Sequence, residues 1–215
     1  MNEASTGLAL AEGLFVAVAF ALAVATRPWR AVPAEGPPWP WIAQWSLLPL
    51  AWGLGRWLDM PLDVPLSGAP MLVLLAGWPL AVMAMPLAAL MLLAGHLPPA
   101  EIVHRLAWLG IVPASLTLGL GAAVRRWLPA HPIVYIFGRG YFGTFLAVLL
   151  ADLASLALRD AAGGPALDAQ LIARVLAAFS EAFLTGMITA IAVAYRPQWL
   201  ATWSDRLYLP PGPHA

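Results

Sequence analysis

The chain has 215 residues, of which 61% are hydrophobic and only 10% charged, and its mean hydropathy is +0.79. Soluble domains carry about a quarter charged residues, so composition excludes a soluble enzyme or binding module and indicates an integral membrane protein. Eleven acidic and eleven basic residues balance to zero net charge, which argues against a nucleic-acid partner, and the absence of cysteine removes disulfides and thiolate metal sites.

A helix that crosses hydrocarbon needs about 20 mostly apolar residues. The first such run covers residues 7–26. Glu3 and Glu12 stand where a cleaved signal peptide would carry basic residues, so this run is expected to be retained. After a Pro-rich loop containing Arg27 and Arg30 comes the Trp-rich run 41–58, with Arg56, Asp59 and Asp63 at its end. Their spacings of three and seven suit mutual pairing on one face. Residues 66–95 are apolar for longer than one upright span requires, and Gly77, Trp78 and Pro79 predict a break that yields a short helix over 66–77 and another over 79–95. The remaining runs are 102–124, 132–158 and 171–195, followed by a polar tail over 196–215.

The fold class that follows is an all-α integral membrane bundle in one domain, with about seven transmembrane helices and six as the alternative. The arginines favour seven, because cytoplasmic loops collect basic residues. With seven helices and an external N-terminus, Arg27, Arg30, Arg125, Arg126, Arg196 and Arg206 all lie in the cytoplasm, and only Arg159 falls in an outer loop. All eleven basic residues are Arg and none is Lys. With the Ala, Leu and Trp excess, this suggests a high-GC bacterial source and hence the bacterial inner membrane.

Ionic groups inside apolar runs are expensive, and they normally face a bundle interior or a wet cavity. Arg139, Asp152, Arg174, Glu181 and Thr185 are therefore the candidates for a transport pathway or an intramembrane polar network. Arg174, Glu181, Thr185 and Thr189 recur at seven, four and four residues, one stripe on the last helix. Two readings stand: interhelical glue, or part of a transport path. Tyr141, Thr144, Asp152, Ser155 and Arg159 form a second stripe on the preceding helix. Arg139, thirteen residues from Asp152, lies about 140° away around that helix, so it is expected to pair elsewhere, with Glu181 as the nearest candidate by depth.

Gly138, Gly140 and Gly143 spell G-x-G-x-x-G, but no strand or βαβ unit surrounds them, so they read as allowing close helix approach or local unwinding beside Arg139. Ala17, Ala21 and Ala25 form a small-residue ridge suited to internal packing or to a partner subunit. His96, His104, His131 and His214 have no hydrolase spacing, and for His104, near a helix start, interfacial hydrogen bonding is expected rather than ligation. No G-x-S-x-G elbow or P-loop is present, so the chain is not expected to be an enzyme or to bind a cofactor of its own.

The stretches GAPMLVLLAGWPLAVM, LPAHPIVYIFGRGYFGTFLAVLLA and FSEAFLTGMITAIAVAYRPQWLATWSDRLYL resemble the permease, or substrate-binding membrane, component of energy-coupling-factor (ECF) ABC transporters for cobalt and nickel, the CbiM type. The likeness covers residues 66–209 and is sharpest at Glu181 with Gly186 and at Tyr195–Trp203, with the Tyr-Arg-Pro-x-Trp tail of a proteobacterial branch. It implies seven helices, an external N-terminus, Co²⁺ or Ni²⁺ as the substrate, a transmembrane coupling subunit, and partner ATPase subunits that use the ATP. The family holds its metal through an N-terminal Met-His and a later His. Here Met1 is followed by Asn2, Pro65 stands at the later position, and the Asn that the family tends to place before Gly110-Ile-Val-Pro113 is Arg105. The expected function is the membrane component of an ECF-type importer without the family's His ligands. The alternative is a non-transporting scaffold or accessory subunit.

Overall fold

In hydrocarbon a backbone N–H or C=O has no water to bond, so an apolar chain satisfies these groups within helices. The computed structural model describes residues 3–32, 39–60, 62–158 and 167–208, with side chains left undescribed for 3–6 and 31; among these residues the fold is all helical. The main helices are α1 (Glu3–Ala25), α2 (Trp39–Trp57), α3 (Ala69–Ala76), α4 (Trp78–Leu90), α5 (Pro99–Trp127), α6 (Pro132–Leu158) and α7 (Leu167–Tyr195), with a terminal turn α8 (Asp205–Tyr208). Five are long and apolar enough to cross a membrane: α1, α4 with its tighter continuation Met91–Gly95, α5, α6 and α7.

The other two helices are where the expected seven spans need qualification. Helix α2 has 19 residues, but Pro49, Gln44 and Arg56 dilute it. Helix α3 has only 8 residues, about 12 Å at 1.5 Å per residue, against a hydrocarbon thickness of about 30 Å. Residues 63–68, which take no regular secondary structure, lead into α3. Gly68 (φ +67°) starts α3, and Gly77 (φ +80°) separates it from α4, at the break that the Gly-Trp-Pro sequence predicts.

Apolar burial gives little drive to helix association in lipid, so close packing and polar bonds hold the bundle. The buried faces are rich in small residues such as Ala23, Ala81, Ala88, Ala114, Ala147, Ala178 and Ala182. Indole N–H groups supply many of the bonds between elements. Trp45 donates to Ala84 O (2.8 Å), Trp78 to Ser115 Oγ (3.1 Å) and Trp41 to Trp199 O (3.2 Å), which gives the tryptophan excess a structural use. The Ala17, Ala21, Ala25 ridge does not pack internally. Helix α1 turns Glu12, Val16, Ala19 and Ala23 inward instead, and the ridge is exposed.

Helices α5 and α6 each contain a π-helical stretch, Leu106–Ile111 and Tyr135–Gly143. The second coincides with the glycine triplet, so the chain widens there without unwinding. A Cβ at Gly140 would meet Thr189 at 3.1 Å and one at Gly138 would meet Val124 at 3.0 Å, which bears out the close-approach reading for these two, whereas at Gly143 the nearest atom is Gly138 O of the same helix.

The residues after α7 do not form a solvated tail. Residues 196–208 fold back under the bundle, where Ala201 N–H donates to Leu75 O (3.0 Å) and Thr202 Oγ1 to Leu74 O (3.2 Å), closing the free carbonyl end of α3. Tyr135, Trp203 and Tyr208 pack beside them with ring centroids 4.8–5.0 Å apart. Residues 209–215 lie outside the described residues.

Gly68→Ala tests the break at the head of α3. A left-handed φ costs a non-glycine residue about 1–2 kcal/mol, and the added Cβ would sit 2.7 Å from Leu48 Cδ2. The expected outcome is a loss of about 2 kcal/mol or more, read as a lowered unfolding midpoint in detergent, while Gly119→Ala, whose Cβ meets nothing within 4 Å, leaves the midpoint near the native value.

Candidate functional site

Two polar constructions occupy the bundle. The first is a clamp around the peptide at Ser67 and Gly68. Both backbone N–H groups donate to the carboxylate of Glu181 on α7, at 2.7 Å from Ser67 to Oε2 and 2.8 Å from Gly68 to Oε1. Trp52 Nε1 donates to Ser67 O (2.7 Å), Gln44 Nε2 to Gly68 O (3.0 Å), and Ser67 Oγ to Leu109 O (2.7 Å). Helices α2, α5 and α7 thus hold one non-helical peptide, and a carboxylate sits at the positive end of α3, where the helix dipole favours it.

The second is a polar cavity of about 530 Å³ at the end of the bundle where α2, α6 and residues 91–95 finish and α5 and α7 begin. Arg105 on α5 organises one wall. Its Nη2 donates to Asp63 Oδ2 (2.5 Å) and to Glu101 Oε1 (2.7 Å), and its Nη1 donates to Trp52 O. Asp63 therefore pairs with Arg105 across the bundle, which corrects the expected pairing among Arg56, Asp59 and Asp63. Glu12, His104 and Ser155 tie three helices together beside it: His104 Nδ1 lies 2.7 Å from Glu12 Oε1, and His104 Nε2 lies 3.2 Å from Ser155 Oγ. Trp108 Nε1 donates to the same Glu12 oxygen (2.8 Å). His104 is thus buried and held by hydrogen bonds between helices. On the opposite wall Arg174 Nη1 lies 3.6 Å from Asp152 Oδ1.

The sequence-derived candidates separate into three places. Asp152 and Arg174 line the cavity. Glu181 belongs to the clamp, and Thr185 lies one turn below it; both face a smaller, mostly apolar cavity of about 250 Å³ shared with Gln44 and Met71. Arg139 is at the far end, where its Nη1 donates to Thr202 O (3.3 Å) and its guanidinium lies 5.5 Å from the Tyr135 ring centroid. The expected Arg139 to Glu181 pair does not form, because the two residues sit at different depths and Glu181 spends both oxygens on backbone N–H groups. Gly121 makes room for Arg139, since a Cβ there would lie 2.6 Å from Nη2.

Both stripes face inward as their spacing predicts. Glu181, Thr185 and Thr189 are 5%, 3% and 0% exposed, and Thr144, Asp152 and Ser155 are buried as well. Arg159 lies outside the described residues. The faces turned away are apolar, with Leu176, Phe179 and Phe183 on α7 and Leu146 and Leu150 on α6. Sequence reasoning singled out no role for Ser67, Glu12, Glu101 or Arg105 in this network; only the i, i+4 spacing of Glu101 and Arg105 carried a readable signal. No protein family, curated protein or solved structure matches the chain at a significant level.

Glu181→Ala leaves two buried N–H donors without an acceptor, at a cost of about 1–3 kcal/mol each. Thermal unfolding of purified protein is expected to show a loss larger than that of Gly68→Ala. Glu181→Gln, which retains one acceptor oxygen, is expected to fall between that variant and the native chain.

Proposed function

We propose that the chain is the solute-binding membrane component of an ECF-type importer. The observation that carries this reading is the polar cavity, about 530 Å³ walled by charged side chains from four helices and the non-helical segment 63–68, at one end of a mostly apolar bundle. Glue alone does not call for such space, since polar groups that only join helices are served by direct contacts. The segment before α3 adds support, because non-helical backbone at membrane depth is tolerated where protein or a watery cavity surrounds it, a recurrent arrangement at transporter binding sites. The resemblance of residues 66–209 to ECF permeases points the same way.

The resemblance also carries cobalt or nickel as cargo. Imidazole suits those ions, yet Pro65, where the family places its later His, lines the cavity wall, and among the described residues no group of three His, Asp or Glu side chains is placed to hold a metal ion. Asn2 lies outside the described residues. The proposal therefore keeps transport and the partners that drive it, a transmembrane coupling subunit and ATPase subunits, and does not rest on the metal.

The orientation proposed is that of a bacterial inner-membrane protein with its N-terminus outside. The loop at Arg27 and Arg30, the junction at Arg125 and Arg126, and the tail at Arg196 and Arg206 share one end of the bundle. The cavity is at the other end, which the excess of cytoplasmic arginine makes external.

Reporter fusions test the orientation: a fusion after Pro210 is expected to be cytoplasmic and one within residues 161–166 external, and the reverse pattern would remove it. Co-expression with ECF coupling and ATPase subunits is expected to give a co-purifying complex and ATP-dependent solute uptake. A well-folded protein that forms no such complex and supports no uptake would leave the scaffold reading in possession.

A further inference from the structure

Three cations, Arg56, Arg105 and Arg174, and three anions, Asp63, Glu101 and Asp152, line the polar cavity. Their formal charges cancel, so a bare divalent cation meets no surplus of negative charge there. Drawing Asp63 and Glu101 away from Arg105 would strand a guanidinium whose side chain is only 7% exposed, a costly state for a buried charge.

The two ion-paired groups differ in how closely their charges approach, although Asp63 Oδ1 in the first is itself buried with no hydrogen-bond partner among the described residues. Arg105 is committed to two carboxylates and the Trp52 carbonyl. Arg174 and Asp152 approach only to 3.6 Å, outside hydrogen-bond length. Asp152 Oδ2 and Arg174 Nε are both buried, and among the described residues neither has a hydrogen-bond partner. Asp152 itself is 4% exposed. A cationic donor and an anionic acceptor thus stand side by side on the cavity wall, each with unused bonding capacity.

We propose that this pair is the head-group site for a zwitterion of the α-amino-acid type, with the solute's ammonium on Asp152 and its carboxylate on Arg174. The inference rests on the importer reading of the same cavity and supplies its substrate class. An α-amino acid carries both charges on one carbon, which matches protein charges only 3.6 Å apart, and a carboxylate suits the two-pronged donor geometry of arginine. The cavity volume of about 530 Å³ falls within the range of small-molecule sites, about 300–1,000 Å³. That leaves room for a side chain beside Trp108 and Leu109, which a bare ion would leave unfilled.

The test uses full-length protein in nanodiscs, with thermal unfolding and calorimetry in the presence of each proteinogenic L-α-amino acid, CoCl₂ or NiCl₂. At least one amino acid is expected to raise the unfolding midpoint. Its N-acetyl and methyl-ester derivatives, each missing one charge, are expected to bind at least about tenfold more weakly, because they leave a buried group unpaired. Asp152→Asn and Arg174→Gln are expected to weaken binding similarly; the derivatives make the same comparison on the native chain should either variant fold poorly. The inference is overturned if no amino acid shifts the midpoint, if the derivatives bind as well as the parent, or if Co²⁺ or Ni²⁺ binds in place of every amino acid. Binding without uptake in the reconstituted complex would contradict the importer reading alone, and ATP-driven metal uptake without amino-acid binding would contradict the zwitterion alone.

Discussion

Two backbone N–H groups inside a membrane bundle need an acceptor, and Glu181 is that acceptor. Ser67 and Gly68 leave helical geometry in the interior, where an unmet N–H costs several kcal/mol in the absence of water. The carboxylate of α7 meets both donors, while Trp52, Gln44 and the Leu109 carbonyl fix the remaining polar atoms of the same segment. Much of the architecture follows from this one satisfied defect. It allows the chain to enter the bundle in non-helical form, lets α3 start deep within it, and leaves space above for polar groups that a full-length helix would occupy with its own side chains.

The same geometry links the two ends of the molecule. Asp63 and Pro65 belong to the cavity wall, Ser67 and Gly68 to the clamp, and Leu74 and Leu75 at the far end of α3 accept bonds from the folded-back residues Ala201 and Thr202. Trp52 joins the two polar constructions, since its indole donates to the clamp and its carbonyl accepts from Arg105. Any displacement of α3 is therefore felt both at the cavity and beneath the bundle, through directly bonded atoms.

Much of this was legible in the residues. Apolar run lengths indicate the long helices, Gly77 with Pro79 marks the break before α4, and the stripe spacings on α6 and α7 correctly turn Asp152 and Glu181 inward. The start of α3 was not legible, because Leu66-Ser67-Gly68 is acceptable within an apolar run and only donors and acceptors from other helices show that it is unwound. The partner of Arg139 was missed for a related reason: its angle around α6 correctly separated it from Asp152, but Glu181 was chosen by depth, and only the folded-back Thr202 carbonyl and the Ser67 and Gly68 donors show that the two residues bond at different levels. The cavity was hidden in ordinary helix-end charges, since Glu12, Asp63, Glu101 and Arg105 lie far apart in sequence or near loops, where pairing at the membrane surface is the simplest expectation.

The central claim is that the bundle encloses a water-reachable polar chamber while its more exposed helix faces meet lipid. The chain contains no cysteine, so single cysteines introduced at Pro65 on the chamber wall and at Leu176 on the apolar face of α7 can be compared directly in intact cells with a charged, membrane-impermeant thiol reagent. The account predicts that Pro65→Cys is modified from outside and Leu176→Cys is not, although Leu176 is the more exposed residue. Modification of Leu176→Cys with Pro65→Cys left unreacted would contradict it.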